Sequence, residues 1–144
     1  MQAYSMRLQT ADFDWWKNEL TVLNKMLETN KTGTRADHYL RVKGFIGILL
    51  YSTVNNMIRS DPGNPHLEVM LDTYVFAEPD NPDPWYFRAL HAWQAGEQQV
   101  CIKNLDRALE LGFSDRDKLE KAFPTEILDQ LSVISRQSPV DSQQ

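Results

Sequence analysis

A chain of 144 residues is long enough for one domain with a real core. Apolar residues at 42% and charged residues at 24% exclude wholesale disorder, a coiled coil or a collagen-like fibre. Fifteen Lys and Arg against twenty Asp and Glu leave a net charge of -5 and a pI near 5.1, which argues against a nucleic-acid backbone or an anionic membrane as the main partner.

The single cysteine, Cys101, forbids an internal disulfide and excludes the multi-cysteine zinc and iron-sulfur ligand sets, so the fold must rest on packing. The longest apolar run (FIGILLY, residues 45–51) is far short of the roughly 20 residues needed to span a bilayer. The first residues (MQAYSMRLQT) lack the basic-then-apolar layout of a signal peptide.

Apolar residues recur at helical spacing almost everywhere, and no stretch alternates strictly, so the chain reads as all-α. A first helix is expected over residues 12–29, capped at Thr10, with Phe13, Trp16, Leu20, Leu23 and Leu27 as its buried stripe. NKTGT (30–34) breaks it. A long helix is expected over 36–60, buried through Leu40, Phe45, Ile46, Leu49 and Leu50, with Gly44 and Gly47 permitting close approach of a neighbour. DPGNP (61–65) ends it. A third helix over 66–77 presents Leu67, Met70, Leu71 and Tyr74, and stops at the proline cluster EPDNPDP (78–84), which reads as a turn and not a linker. Pro84 suits the first turn of a fourth helix running through Trp85, Phe87, Ala89, Ala92 and Trp93 to Gly96. A fifth helix restarts at Glu97 and carries Val100, Cys101, Leu105, Ala108, Leu109 and Leu111 to a Gly112 cap. Two shorter helices are expected over 114–122 and 125–136, separated by Pro124, with the last eight residues frayed.

The stretch from Trp85 to Leu111 (WYFRALHAWQAGEQQVCIKNLDRALEL) resembles the 34-residue tetratricopeptide repeat in register. Trp85 takes the first aromatic position, Ala89 and Ala92 the next contacts, Gly96 the turn, Cys101 and Ala108 the small positions of the second helix and Leu105 its apolar partner. Arg88 stands where the template prefers Leu. One repeat earlier, Tyr51, Leu67, Leu71 and Tyr74 fall under Trp85, Cys101, Leu105 and Ala108, but Asn55, Ile58 and Pro62 replace Ala89, Ala92 and Gly96, so that copy is degenerate. The resemblance implies an α-α superhelix of stacked antiparallel pairs in a single domain. Its parts are an N-terminal helical region (10–47), a degenerate repeat (48–81), a repeat (82–115), capping helices (116–136) and a frayed tail (137–144). The ending ALELGFSDRDKL (108–119) resembles the last repeat of bacterial tetratricopeptide proteins, including domains of exported lipoproteins. That implies the periplasm or a lipid anchor where an upstream leader has been removed, and the cytoplasm otherwise.

Catalytic chemistry finds little footing. His38, His66 and His91 form no HExxH, HxH or i,i+4 pair, so no metal site is expected. His66-x-Glu68 is half of a deaminase signature whose Pro-Cys-x-x-Cys half is absent. His91 and Cys101, on paired helices, offer a nucleophile-base couple, but Cys101 occupies the repeat's small buried position and reads as packing. There is no GxSxG, P-loop, GxGxxG or SxxK. The carboxylate pairs Asp12/Asp14, Asp80/Asp83 and Asp115/Asp117 sit at expected helix starts, where they complement the dipole. Neither a catalytic residue nor a cofactor is therefore expected.

Within the repeat architecture the first helix of each pair lines the concave face, which the resemblance fills with Asn56, Arg59, Tyr86, Leu90 and Trp93. The Lys and Asn positions of the family's carboxylate clamp are taken by Ser52, Asn56, Tyr86 and Leu90, which disfavours a chaperone-tail receptor. The expectation is a non-catalytic adaptor that binds a peptide or protein segment in this groove. A module packed into a homo-oligomer or larger complex is the alternative, and an enzyme of unknown type comes third.

Overall fold

The computed structural model describes residues 2–8 and 10–131. Residues 132–136 of the expected last helix and the tail 137–144 lie outside that range. Among the described residues there are eight helices and no strand: α1 Gln2–Arg7, α2 Phe13–Thr29, α3 Thr34–Ser60, α4 His66–Ala77, α5 Pro82–Gln94, α6 Gln98–Glu110, α7 Arg116–Ala122 and α8 Thr125–Leu128. The chain is all-helical, as the apolar periodicity implies. It divides into two compact units, Met1–Glu78 and Pro79–Gln144, at the start of the proline cluster.

In the N-terminal unit, α2, α3 and α4 pack pairwise against one another. Asp12, not Thr10, caps α2: its carboxylate accepts from the Trp15 backbone N–H at 2.9 Å, which satisfies one of the orphan donors of the first turn. Trp16, Leu20 and Leu23 are buried from α2, and Leu67, Met70, Leu71, Thr73, Tyr74 and Ala77 from α4. The short helix α1, for which no apolar stripe gives a signal, places the Tyr4 ring beside Trp15 and Trp16, with centroids 6.3 and 6.1 Å away. Its hydroxyl donates to Glu19 at 3.4 Å, and burial first, then the Glu19 charge and hydrogen bond, push its pKa up. Trp16 is fully buried, and its indole N–H has no hydrogen-bond partner among the described residues.

α3 departs from expectation in the face it buries. Ala36, Val42, Ile46, Leu50, Val54 and Ile58 point inward, Phe45 and Leu49 are half-buried, and Leu40 is 57% exposed. At 100° per residue Leu40 lies about 200° around the helix from Val42, so the two cannot share a core. Beginning two residues early, at Thr34, the helix is preceded by Gly33, whose φ of +92° only glycine adopts without strain.

In the C-terminal unit, α5 and α6 form a close antiparallel pair. Small side chains at the contact, Ala89 and Ala92 from α5 and Cys101 and Ala108 from α6, are buried beside Leu105. Both helices end in the same way. The Gly96 and Glu97 N–H groups donate to the Trp93 and Ala92 carbonyls, and those of Gly112 and Phe113 to Leu109 and Ala108, with Gly96 and Gly112 at φ +78° and +103°. These are Schellman closures, and the second aims Phe113 into the unit's core. Asn81 and Asp115 cap α5 and α7, accepting from the Asp83 and Lys118 N–H groups at 3.0 and 3.1 Å.

Candidate functional site

The five expected groove residues divide between the units. Asn56 and Arg59 are exposed on the C-terminal half of α3. Leu90 and Trp93 are half-buried on α5. Tyr86 faces inward with 3% exposure, its ring stacked on Phe113 with centroids 4.8 Å apart and edge-on to Phe123 at 6.1 Å. Lys118 Nζ sits 4.9 Å from the Tyr86 centroid, a cation over an electron-rich face. Tyr86 is therefore a core aromatic of the C-terminal unit, because α6, α7 and the Gly112 turn converge on its side of α5.

The nucleophile reading of Cys101 fails on electrostatics. The residue is fully buried, and desolvation pushes its thiol up to about 11, so the thiolate needed for attack is disfavoured at neutral pH. His91 lies in α5 with a buried Nδ1 that lacks a hydrogen-bond partner among the described residues. His66 Nε2 is 2.6 Å from the Leu8 carbonyl oxygen. A carbonyl only accepts, so that ring nitrogen carries the proton and is turned away from metal or base chemistry. Among the described residues no group of three or more His, Cys, Asp or Glu is placed to hold a metal ion. No helix among them is long and apolar enough to cross a membrane.

Trp85, the first residue of the repeat-like pattern, donates its indole N–H to the Pro79 carbonyl at 3.0 Å. The guanidinium groups of Arg88 and Arg107 lie 5.7 and 5.8 Å from its ring centroid. That arrangement closes the turn before α5 and leaves Arg88, the departure from the repeat template, in a packing role.

Two surface hollows are found among the described residues: one of about 330 Å³ lined by Arg116, Leu119, Glu120, Thr125, Leu128 and Asp129, and a more open one on α3. On the outward side of α3, Gly44, Gly47, Ile48 and Tyr51 line an open cleft of about 260 Å³, completed by Tyr74 and Glu78. The Glu78 side chain folds over Gly47, so that a methyl group there would collide with its carboxylate. Gly44 is open, with nothing within 4 Å of where a Cβ would stand. Ile48 is 67% and Tyr51 37% exposed. Sequence analysis marks both glycines as places of close approach, but assigns Leu40, one turn before the cleft, to the core. The signal that separates them is angular: Leu40, Gly44, Ile48 and Tyr51 fall within a quarter-turn of one another and opposite Val42 and Ile46.

No protein-family model matches the chain, and no curated protein or solved structure matches it.

Proposed function

We propose that the chain is a non-catalytic protein-interaction module of the tetratricopeptide-like kind, an adaptor that binds a peptide or protein segment. Its superhelical arrangement and its bacterial origin are part of the same proposal. The reading is supported by the α5–α6 pair, whose helices meet through Ala89, Ala92, Cys101 and Ala108, the residues the repeat template requires to be small.

The observation that carries the binding role is the division of α5 itself. It buries Pro84, Tyr86, Phe87, Ala89 and Ala92, while Leu90 and Trp93, three residues apart on one side, keep part of their surface open. A partly exposed tryptophan beside a leucine offers a large apolar anchor of the type that dominates peptide recognition. Asn56 and Arg59 on α3 offer exposed hydrogen-bond donors of the same adaptor kind.

A photo-crosslinking side chain at position 90, in cells that make the protein, tests this, with position 100 on the exposed part of α6 as control. A discrete protein adduct from position 90, absent from position 100 and abolished by Trp93→Ala in folded protein, is expected. The same adducts from both positions would remove the binding role from α5.

A further inference from the structure

We propose that the hollow on α3 receives an arginine side chain from a partner protein, its guanidinium held by the Glu78 carboxylate and the Tyr51 ring. This goes beyond the peptide-binding reading, which rests on α5.

The hollow is built around the carboxylate. Gly47 is buried, and the Glu78 side chain rests where a Cβ would stand on that residue. Glycine is unfavourable inside a helix, and here its want of a side chain is what lets an acid from the end of α4 lie against α3. The residues that line the hollow, Gly44, Gly47, Ile48, Tyr51, Tyr74 and Glu78, include that carboxylate and no cation. A carboxylate offers about four lone-pair sites, so bonds to its neighbours do not exhaust it, and a guanidinium can add two parallel donors.

The nearest cations of α3 are turned elsewhere. Lys43 Nζ donates to the Asn24 side chain of α2 at 3.0 Å. Arg41 stands about 120° around the helix from Gly47, on the opposite flank from Glu78. The chain as a whole carries a net charge of -5, which favours the approach of a basic segment.

The apolar part of the lining fits the stem of an arginine. Gly44, with nothing within 4 Å of its Cβ position, and Ile48, 67% exposed, make a ledge beside the carboxylate. Residues three or four apart on a helix face lie about 5–6 Å from one another, a distance that the methylenes of an arginine can cover before its charged head. Tyr51, 37% exposed, lines the far end. A guanidinium is planar and weakly hydrated, so it stacks on a tyrosine and pairs with a carboxylate even in an open hollow, where a compact, strongly hydrated ammonium gains less. One turn before Gly44, Leu40 is 57% exposed and extends the apolar surface past the hollow. A protein segment with an apolar residue near its arginine covers that surface, and a free small cation does not.

The test is an amide NMR titration of the full chain with a blocked tripeptide, arginine between two glycines. The same peptide carrying citrulline keeps the shape and loses the charge. Saturable shifts centred on the amides of Gly44, Gly47, Ile48, Tyr51 and Glu78 are expected from the arginine peptide, with a dissociation constant in the millimolar range. Leucine in place of both glycines should tighten binding several-fold through Leu40. Glu78→Gln removes the charge and Gly47→Ala displaces the carboxylate, and each should weaken binding about tenfold or more. Glu68→Gln, at an exposed carboxylate elsewhere on α4, should leave it unchanged. Circular dichroism melts confirm that the variants are folded. Absence of saturable shifts at these amides, or equal binding of the citrulline peptide or of its lysine counterpart, would overturn the proposal. So would equal binding of the leucine and glycine peptides, or indifference to both Glu78→Gln and Gly47→Ala. None of these results touches the crosslinking from α5, so the two readings fail separately.

Discussion

The rings of Tyr86 and Phe113 lie parallel, 8° between their planes and 4.8 Å between their centroids. One ring comes from the middle of α5 and the other from the first extended residue after α6, so the stack is held at the right distance by the turn at Gly112. It accounts for the burial of a tyrosine that helical spacing alone would place on the open side of its helix.

Removing that stack should cost stability and not recognition. Tyr86→Ala is expected to destabilise the C-terminal unit by about 3–5 kcal/mol, in the range of other buried aromatic truncations. Urea denaturation followed by circular dichroism measures it. A loss below about 1 kcal/mol would show that Tyr86 is not a core residue.

Cys101 gives a pH signature. Its thiol is pushed up to about 11 from an ordinary 9.0 by burial, so the folded state holds the proton more tightly than the unfolded chain. This contribution is fully present below pH 9 and is lost as pH rises from 9 through 11. Cys101→Ala should therefore unfold with a shallower loss of stability across that window than the parent protein. At neutral pH that variant should cost little, whereas Cys101→Leu overfills the contact between α5 and α6 and should cost about 1–3 kcal/mol.

Three glycines should respond differently to alanine. Gly112→Ala forces a side chain to φ +103° and disturbs the delivery of Phe113, and is expected to lower the melting temperature by an amount equivalent to about 1–2 kcal/mol. Gly47→Ala displaces the Glu78 carboxylate, the far end of a flexible side chain, a cost that the gain in helix propensity offsets, so it should be close to neutral. Gly44→Ala, mid-helix and facing open space, should stabilise a dilute solution by about 0.5–1 kcal/mol through helix propensity. A uniform response of all three would contradict the placement of these helices.

The start of α2 offers a paired control. Asp12→Ala removes the acceptor of the Trp15 N–H and should cost about 1 kcal/mol, while Thr10→Ala should be silent. Thermal melts of the two variants distinguish the caps directly.

Much of this architecture is legible in the sequence because punctuation residues fix it. Asp61 to Pro65 bound α4 to the residue, and Leu67, Met70, Leu71 and Tyr74 are buried on the expected face. Gly96 and Gly112 likewise set the ends of α5 and α6. What was not legible depends on direction and on distant partners. Leu40 counts as one more apolar residue in a periodic helix until Val42, Ile46 and Leu50 are known to own the inner face. Tyr86 looks like a groove residue until Phe113 and Phe123 arrive from later in the chain. Helix α1 is only six residues long and is recognised by what Tyr4 touches, not by its own pattern.

The hydrogen bond between His66 and the Leu8 carbonyl joins residues 58 apart, across α2 and α3. The α5–α6 pair, by contrast, needs only the short turn at 95–97 to bring its helices face to face. Local closure carries a small entropic cost and distant closure a larger one, so the two units belong to different kinetic regimes. The C-terminal hairpin can form as soon as its own residues are available. The segment around Leu8, although made before α4, must wait until α4 has been made and packed.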